Sequence, residues 1–138
     1  MHSYQLHPLQ RFDSKDGGTW RAIRSDDLGV LSIKETYFSW VNPGSIKAWK
    51  RHNVSTCNFV VPVGNVEFVV QTQDAKFEEI TIGVDNYQRL VVQPNTWFGF
   101  RGKSDYPCLV MNTMDFLHDD RESEKSDLNL FNYKWSEE

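Results

Sequence analysis

Turn signals divide the chain into short pieces, and no piece carries a long helical period. Clusters of turn residues occur at 13–18, 25–27, 42–44, 64–65, 73–76, 83–88 and 93–96. Proline fixes one φ and glycine takes up positive φ, so clusters of this kind reverse the chain. The segments between them are rich in β-branched and aromatic residues. They predict strands over 6–12, 19–24, 30–41, 45–52, 57–63, 66–72, 77–82, 89–92, 97–101 and 108–114. Roughly ten short strands, with turns about 8–12 residues apart, indicate an all-β sandwich or barrel. Gly64-Asn65 is expected to close a hairpin. No repeat, low-complexity tract or linker intervenes, so residues 1–138 are expected to form a single domain with its core over 19–116.

The stretch from Gly44 to Gly64 reads as two of these strands around a short turn. Side chains alternate across a strand. Ile46, Ala48, Lys50 and His52 are therefore expected on one face, and Lys47, Trp49 and Arg51 on the other. A cation and an imidazole beside Ile46 and Ala48 suggest a polar site in an apolar pocket.

The formal net charge is -4 and both signs are interspersed. A nucleic-acid partner needs a basic stripe and is not expected; a local basic patch still suits a small anion. No stretch approaches the roughly 18 apolar residues of a membrane span. Residues 1–20 lack the apolar run of a signal peptide. No membrane partner and a cytoplasmic location are expected, with Cys57 and Cys108 as reduced thiols. The charged run at 118–127 is expected on the surface with one helical turn, its carboxylates Asp119, Asp120, Glu122 and Glu124 in water. The apolar-aromatic tail at 128–135 is expected to dock back on the body. No phosphate loop, dinucleotide fingerprint or Ser-His-Asp frame is present.

The Gly44–Gly64 stretch resembles the first motif of the cupin jelly-roll family, G-x5-H-x-H-x4-E-x6-G. Gly44, His52 and Gly64 hold their places, with Lys50 at the first histidine and Cys57 at the glutamate. The second motif, P-x-G-x-x-H, falls on Gln93-Pro94-Asn95-Thr96-Trp97-Phe98, with Phe98 at its histidine. Four pieces are similar to the RmlC-like dTDP-4-dehydrorhamnose 3,5-epimerases and their short nucleotide-sugar relatives. Tyr37-Phe38-Ser39 followed by Asn42-Pro43-Gly44-Ser45-Ile46-Lys47-Ala48-Trp49 resembles a strand and P-G-x-I/L-R/K-G-L/W-H. Gly64-Asn65-Val66 resembles the family hairpin, and Trp97-Phe98-Gly99-Phe100 resembles W-H-G-F. Asn132-Tyr133-Lys134-Trp135 resembles the terminal I-x-Y-x-W.

The resemblance implies an all-β cupin jelly roll that forms a homodimer. It also implies a nucleotide sugar or other carbohydrate as ligand. Cupin metal sites need converging imidazoles and a carboxylate; only His52 is kept, so no metal and no cofactor are expected. Epimerisation beside a ketone needs a base, an acid on the opposite face and donors for the enolate. In the family a histidine and a later tyrosine do this work. Their positions here are Lys50 and, aligned through Met114-Asp115-Phe116, Met111. Lys50 and His52 are the expected catalytic pair. Lys47, Trp49, Cys57, Trp97, Phe98, Arg101 and Met111 are the expected substrate contacts, the cations for phosphate and the tryptophans for stacking. Three functions stay open: an epimerase or ketoisomerase on a nucleotide-linked keto-deoxysugar, a binding cupin without turnover, and a structural or dimerisation module.

Overall fold

A computed structural model describes residues 3–27, 29–30, 32–117, 119 and 121–135. Leu31, inside the expected 30–41 strand, and His118 and Asp120, in the charged run, lie outside the described residues. Strands follow one another along the chain: β1 (Tyr4–Pro8), β2 (Arg11–Phe12), β3 (Thr19–Trp20), β4 (Glu35–Val41), β5 (Ile46–His52) and β6 (Cys57–Val63). Then come β7 (Asn65–Gln71), β8 (Phe77–Gly83), β9 (Gln88–Val92), β10 (Phe98–Gly102), β11 (Cys108–Met114), β12 (Ser123–Lys125) and a 3-10 turn over Leu128–Leu130.

Two five-stranded sheets result, ordered β1-β9-β6-β11-β4 and β12-β5-β10-β7-β8. Neighbours within each are antiparallel. From β4 to β12 every consecutive pair of strands changes sheet except β7 and β8, which are neighbours in the second sheet. The architecture is an all-β jelly roll. Gly64 accordingly closes no hairpin: it turns the corner from one sheet to the other at φ 76°. A Cβ there would fall 2.5 Å from Cys108 Sγ, so glycine is required by space as well as by φ.

The core lies between the sheets and follows the two-residue period of the strands. Val66, Phe68 and Val70 alternate inward on β7, Ile80 and Ile82 on β8, Leu90 and Val92 on β9. Phe68 is the central ring, 4.9 Å from Phe59 and 5.1 Å from Phe100. Each such side chain contributes roughly 1.5–3 kcal/mol by leaving water.

The expected strand at 30–41 begins only at Glu35. Upstream the chain crosses the first sheet irregularly, with the Cα of Gly29 pressed so close that a Cβ would lie 3.0 Å from Val91. The expected 6–12 strand is two, β1 and β2, and the 19–24 strand reduces to β3, which among the described residues pairs with β2 alone. The charged run forms β12 rather than a helical turn, paired with β5 through Ser123–His52, Glu124–Arg51 and Lys125–Lys50. The tail beyond it lies on the outer face of the second sheet, where Phe131, Tyr133 and Trp135 surround Trp49.

Candidate active site

A cavity of about 590 Å³ opens between the sheets. The first sheet contributes Glu35, Tyr37 and Ser39 from β4, Phe59 from β6, and Val110 and Asn112 from β11. The facing sheet contributes Lys47 and Lys50 from β5, Phe98 and Phe100 from β10, and Lys125 and Ser126 at β12. Aromatic rings form its deep wall. The polar groups stand toward the β4 and β5 sides, on opposite sheets.

Lys47 and Lys50 are three positions apart and would face opposite ways on a regular strand. They face the same way because β5 carries a bulge. Phe98 pairs with Lys50 and Gly99 with Ala48, so Trp49 has no partner of its own on β10; Phe100 then pairs with Lys47 and Arg101 with Ile46. Cross-strand partners project to one face. Phe98 and Phe100 belong to the core, so Lys50 and Lys47 turn inward with them. Lys47 Nζ donates to Trp40 O at 2.7 Å.

The same bulge sends Trp49 outward. Its ring is 2% exposed and packs at 5.1–5.8 Å from Phe77, Phe131, Tyr133 and Trp135. Trp49 borders the cavity, but its indole is spent on the tail and is no platform for a ligand. Trp97 is also outside: Arg51 Cζ lies 5.0 Å above its ring and Phe131 stands 6.1 Å away. Arg101 points out with Ile46 and pairs with Glu67 at 3.1 Å under the tail. Met111 pairs across β11 and β4 with Phe38, which is 61% exposed, and so faces outward. Its inward neighbours Val110 and Asn112 reach the cavity instead. Arg101 and Met111 are therefore turned away from the cavity by strand parity, and Trp97 by its packing against Arg51 and Phe131, contrary to the expected contacts.

Cys57 and His52 are inside but off the cavity surface. Cys57 is buried, and desolvation drives its thiol up to about 12, so it is a neutral apolar group and no thiolate. His52 is 2% exposed and stacks on Phe98 at 6.2 Å, which separates it from the cavity. Its Nδ1 lies 2.5 Å from Glu122 Oε1. An ionised carboxylate only accepts, so Nδ1 carries the proton and donates. Glu122 Oε2 accepts further bonds from the amides of Ser55 at 3.2 Å and Val54 at 3.3 Å. Burial pulls the Glu122 carboxyl up, but the His52 hydrogen bond and charge and the two amides outweigh it, leaving the group below its usual range. Glu122 was expected in water; at 8% exposure it is part of the buried framework.

Tyr37 lines the cavity, and motif alignment misses it. It is the cross-strand partner of Asn112, whose Nδ2 donates to its Oη at 3.2 Å. Burial is the chief reason that its phenol is raised above the ordinary value. It stays a neutral O–H donor at physiological pH. The parity of β4 was the available signal: Glu35, Tyr37, Ser39 and the core residue Val41 share one face. Among the described residues no three of His, Cys, Asp and Glu converge as metal ligands.

No family model matches the sequence. A dTDP sugar isomerase from Desulfovibrio desulfuricans G20 is similar over nearly the whole chain. Identity is 33%, coverage is 96% of this chain and 90% of that one, and the TM-score is 0.89. A relative in Haloferax volcanii, the probable low-salt glycan biosynthesis epimerase Agl13, is 26% identical over 127 residues, 86% of this chain and 81% of the relative. The sugar 3,4-ketoisomerase QdtA from Thermoanaerobacterium thermosaccharolyticum, solved in complex with TDP, has a TM-score of 0.77 at 14% identity, covering 90% of this chain and 88% of that one. That last likeness is one of fold.

Proposed function

Since the chain belongs to the RmlC-like cupin family, we propose that it moves a proton beside the ketone of a nucleotide-linked keto-deoxysugar, as an epimerase or ketoisomerase in surface polysaccharide or deoxysugar synthesis. One observation carries the reading: Lys50 and Tyr37 face a single cavity from opposite sheets. The hydrogen on the carbon next to a ketone is removable because the charge left behind spreads onto oxygen. A base must take it, a donor must hold the enolate oxygen, and an acid must return a proton. The Lys50 amine takes the proton. Tyr37, kept protonated by burial and held by Asn112, returns one from the facing sheet. Return to the opposite face of the same carbon inverts it; where that carbon bears a hydroxyl, passage of the hydroxyl proton to the former ketone oxygen followed by return of a proton to the former carbonyl carbon shifts the ketone. Phe59, Phe98 and Phe100 exclude water from the reacting centre. Lys47 and Lys125, nearer the opening, suit a diphosphate. His52 and Glu122 brace the Phe98 wall from behind.

Phe38 and Trp40 are 61% and 59% exposed on the outward face of edge strand β4, which supports a homodimer through that edge. Two free buried thiols, Cys57 and Cys108, support a reducing, cytoplasmic setting.

A second reading, a cupin that binds without turnover, draws on the position of His52: the imidazole kept from the family frame is shielded by Phe98. Deuterium separates the two. The protein is incubated with a dTDP-4-keto-6-deoxysugar in deuterated water and the C3 and C5 protons are followed by NMR. Exchange that disappears in Lys50→Ala supports the enzyme. TDP binding without exchange on any keto sugar tried supports the binding cupin.

A further inference from the structure

We infer that Trp49 and the aromatic tail form a positioning device for the cavity: the tail grips Trp49 on the outside of β5 and so fixes the bulge that turns Lys47 and Lys50 inward together. The inference starts from strand arithmetic. Without the extra residue, strand parity would place Lys47 and Lys50 on opposite faces. One of the two cations would leave the cavity wall. A bulge costs ladder hydrogen bonds and needs something to hold it.

What holds it is visible on the outer face. The Trp49 indole is buried against Phe77, Phe131, Tyr133 and Trp135, with ring separations of 5.1–5.8 Å. Its backbone is fastened by the same chain segment: Trp49 N donates to Ser126 O at 2.8 Å, and Ser126 N donates to Trp49 O at 2.9 Å. Lys125, adjacent to Ser126, pairs with Lys50 and lines the cavity. The tail is anchored further along, where Tyr133 Oη donates to Glu79 Oε1 at 2.5 Å and Phe77 contacts Phe131 and Tyr133. One residue of β5 is therefore clamped by side chain and backbone together, and cavity cations sit on both sides of it. Neither Phe131, Tyr133 nor Trp135 lines the cavity. They act on it through the register of β5.

The test uses the full chain with three variants: Trp49→Ala, Trp49→Phe, and the triple Phe131→Ala/Tyr133→Ala/Trp135→Ala. Two readouts are taken. Cross-strand NOEs report the register directly, through the pairing of Phe98 with Lys50. TDP titration at low and high salt reports whether both lysines still face the ligand, because their contribution is screened by salt; this arm rests on the function proposed above. Trp49→Ala and the triple variant are expected to lose the Phe98–Lys50 NOEs. They should also bind TDP at least about 10-fold more weakly at low salt, with a flattened salt dependence, a difference of about 1.4 kcal/mol. Trp49→Phe, which keeps a ring for the tail, is expected to retain both. If Trp49→Ala does not fold, the triple variant decides, since it changes only the covering rings. A triple variant that melts cooperatively, keeps the Phe98–Lys50 NOEs and binds TDP with parental salt dependence overturns the inference. Absence of TDP binding by the parent protein would count against the proposed function alone, and the NOEs would still decide the register.

Discussion

Removal of the Glu122 carboxylate is expected to destabilise the fold strongly at neutral pH and hardly at all in acid. Glu122 accepts from His52 Nδ1 at 2.5 Å and from two backbone amides at 3.2 and 3.3 Å. A hydrogen bond to a charged group contributes about 1.5–3 kcal/mol, and the two longer amide bonds fall near the low end of the ordinary range, about 0.5 kcal/mol each. Glu122→Ala should therefore cost ~2.5–4 kcal/mol, overlapping the range for removing one partner of a buried ion pair. For a chain of this length that is a fall in Tm of roughly 10–15 °C. Glu122→Gln keeps an acceptor but not the charge and should lie between. The pH dependence has a definite sign. The folded carboxyl lies below its usual range, so its contribution is complete above the unfolded value of about 4.3 and is lost as the pH falls through the depressed folded value. Urea unfolding followed by circular dichroism, from pH 7 downward, measures the gap between parent and variant. A Glu122→Ala protein within about 0.5 kcal/mol of the parent at pH 7 would refute the reasoning. So would a gap that widens on acidification.

Two other substitutions probe the cavity from its two sides. Tyr37→Phe removes the phenol and its bond from Asn112. Formation of the epimerised or ketone-shifted product should fall about 10²–10⁴-fold while TDP affinity, read by calorimetry, changes little; unchanged product formation would exclude Tyr37 as the acid. Because burial raises the Tyr37 phenol, the activity it supplies should persist to the alkaline side of an ordinary tyrosine in a pH–rate profile. Gly99→Ala places a Cβ 2.4 Å from Ala48 Cβ and 3.2 Å from Lys47 O, beside the bulge. Neither neighbour can swing away, so β5 and β10 must separate; a loss of about 1–3 kcal/mol in urea and weaker TDP binding are expected.

The jelly roll is legible in the sequence because its cues are local. Val66-Glu67-Phe68-Val69-Val70 has the composition of a half-buried strand, and Asn42-Pro43-Gly44 marks a reversal wherever it occurs. What the corner at Gly64 joins is not local: a hairpin and a sheet-to-sheet corner need the same glycine, and only the pairing of β6 with β9 and β11 decides. The site is less legible for the same reason. Parity read along β5 separates Lys47 from Lys50, because the bulge is set by Phe98 and Gly99 and by a tail more than eighty residues away. Glu122 sits among charges that, read as composition, belong in water. Its burial follows from the pairing of Ser123 with His52, which no local pattern announces. Counting back from Met114-Asp115-Phe116 lands on Met111, and one step of parity separates it from Asn112, which does reach the cavity.

The aromatic seam outside β5 also determines what light reports from this protein. Of its five tryptophans, Trp49, Trp97 and Trp135 gather within 5.1–6.1 Å of one another or of Phe131, while Trp20 and Trp40 lie at the surface. Shielded indoles emit to the blue of hydrated ones, so the blue part of the intrinsic emission belongs to the seam. A fluorescence change on adding ligand is then a signal from the back of the cavity wall, carried through the strand, and a red shift without ligand marks the tail leaving its seat.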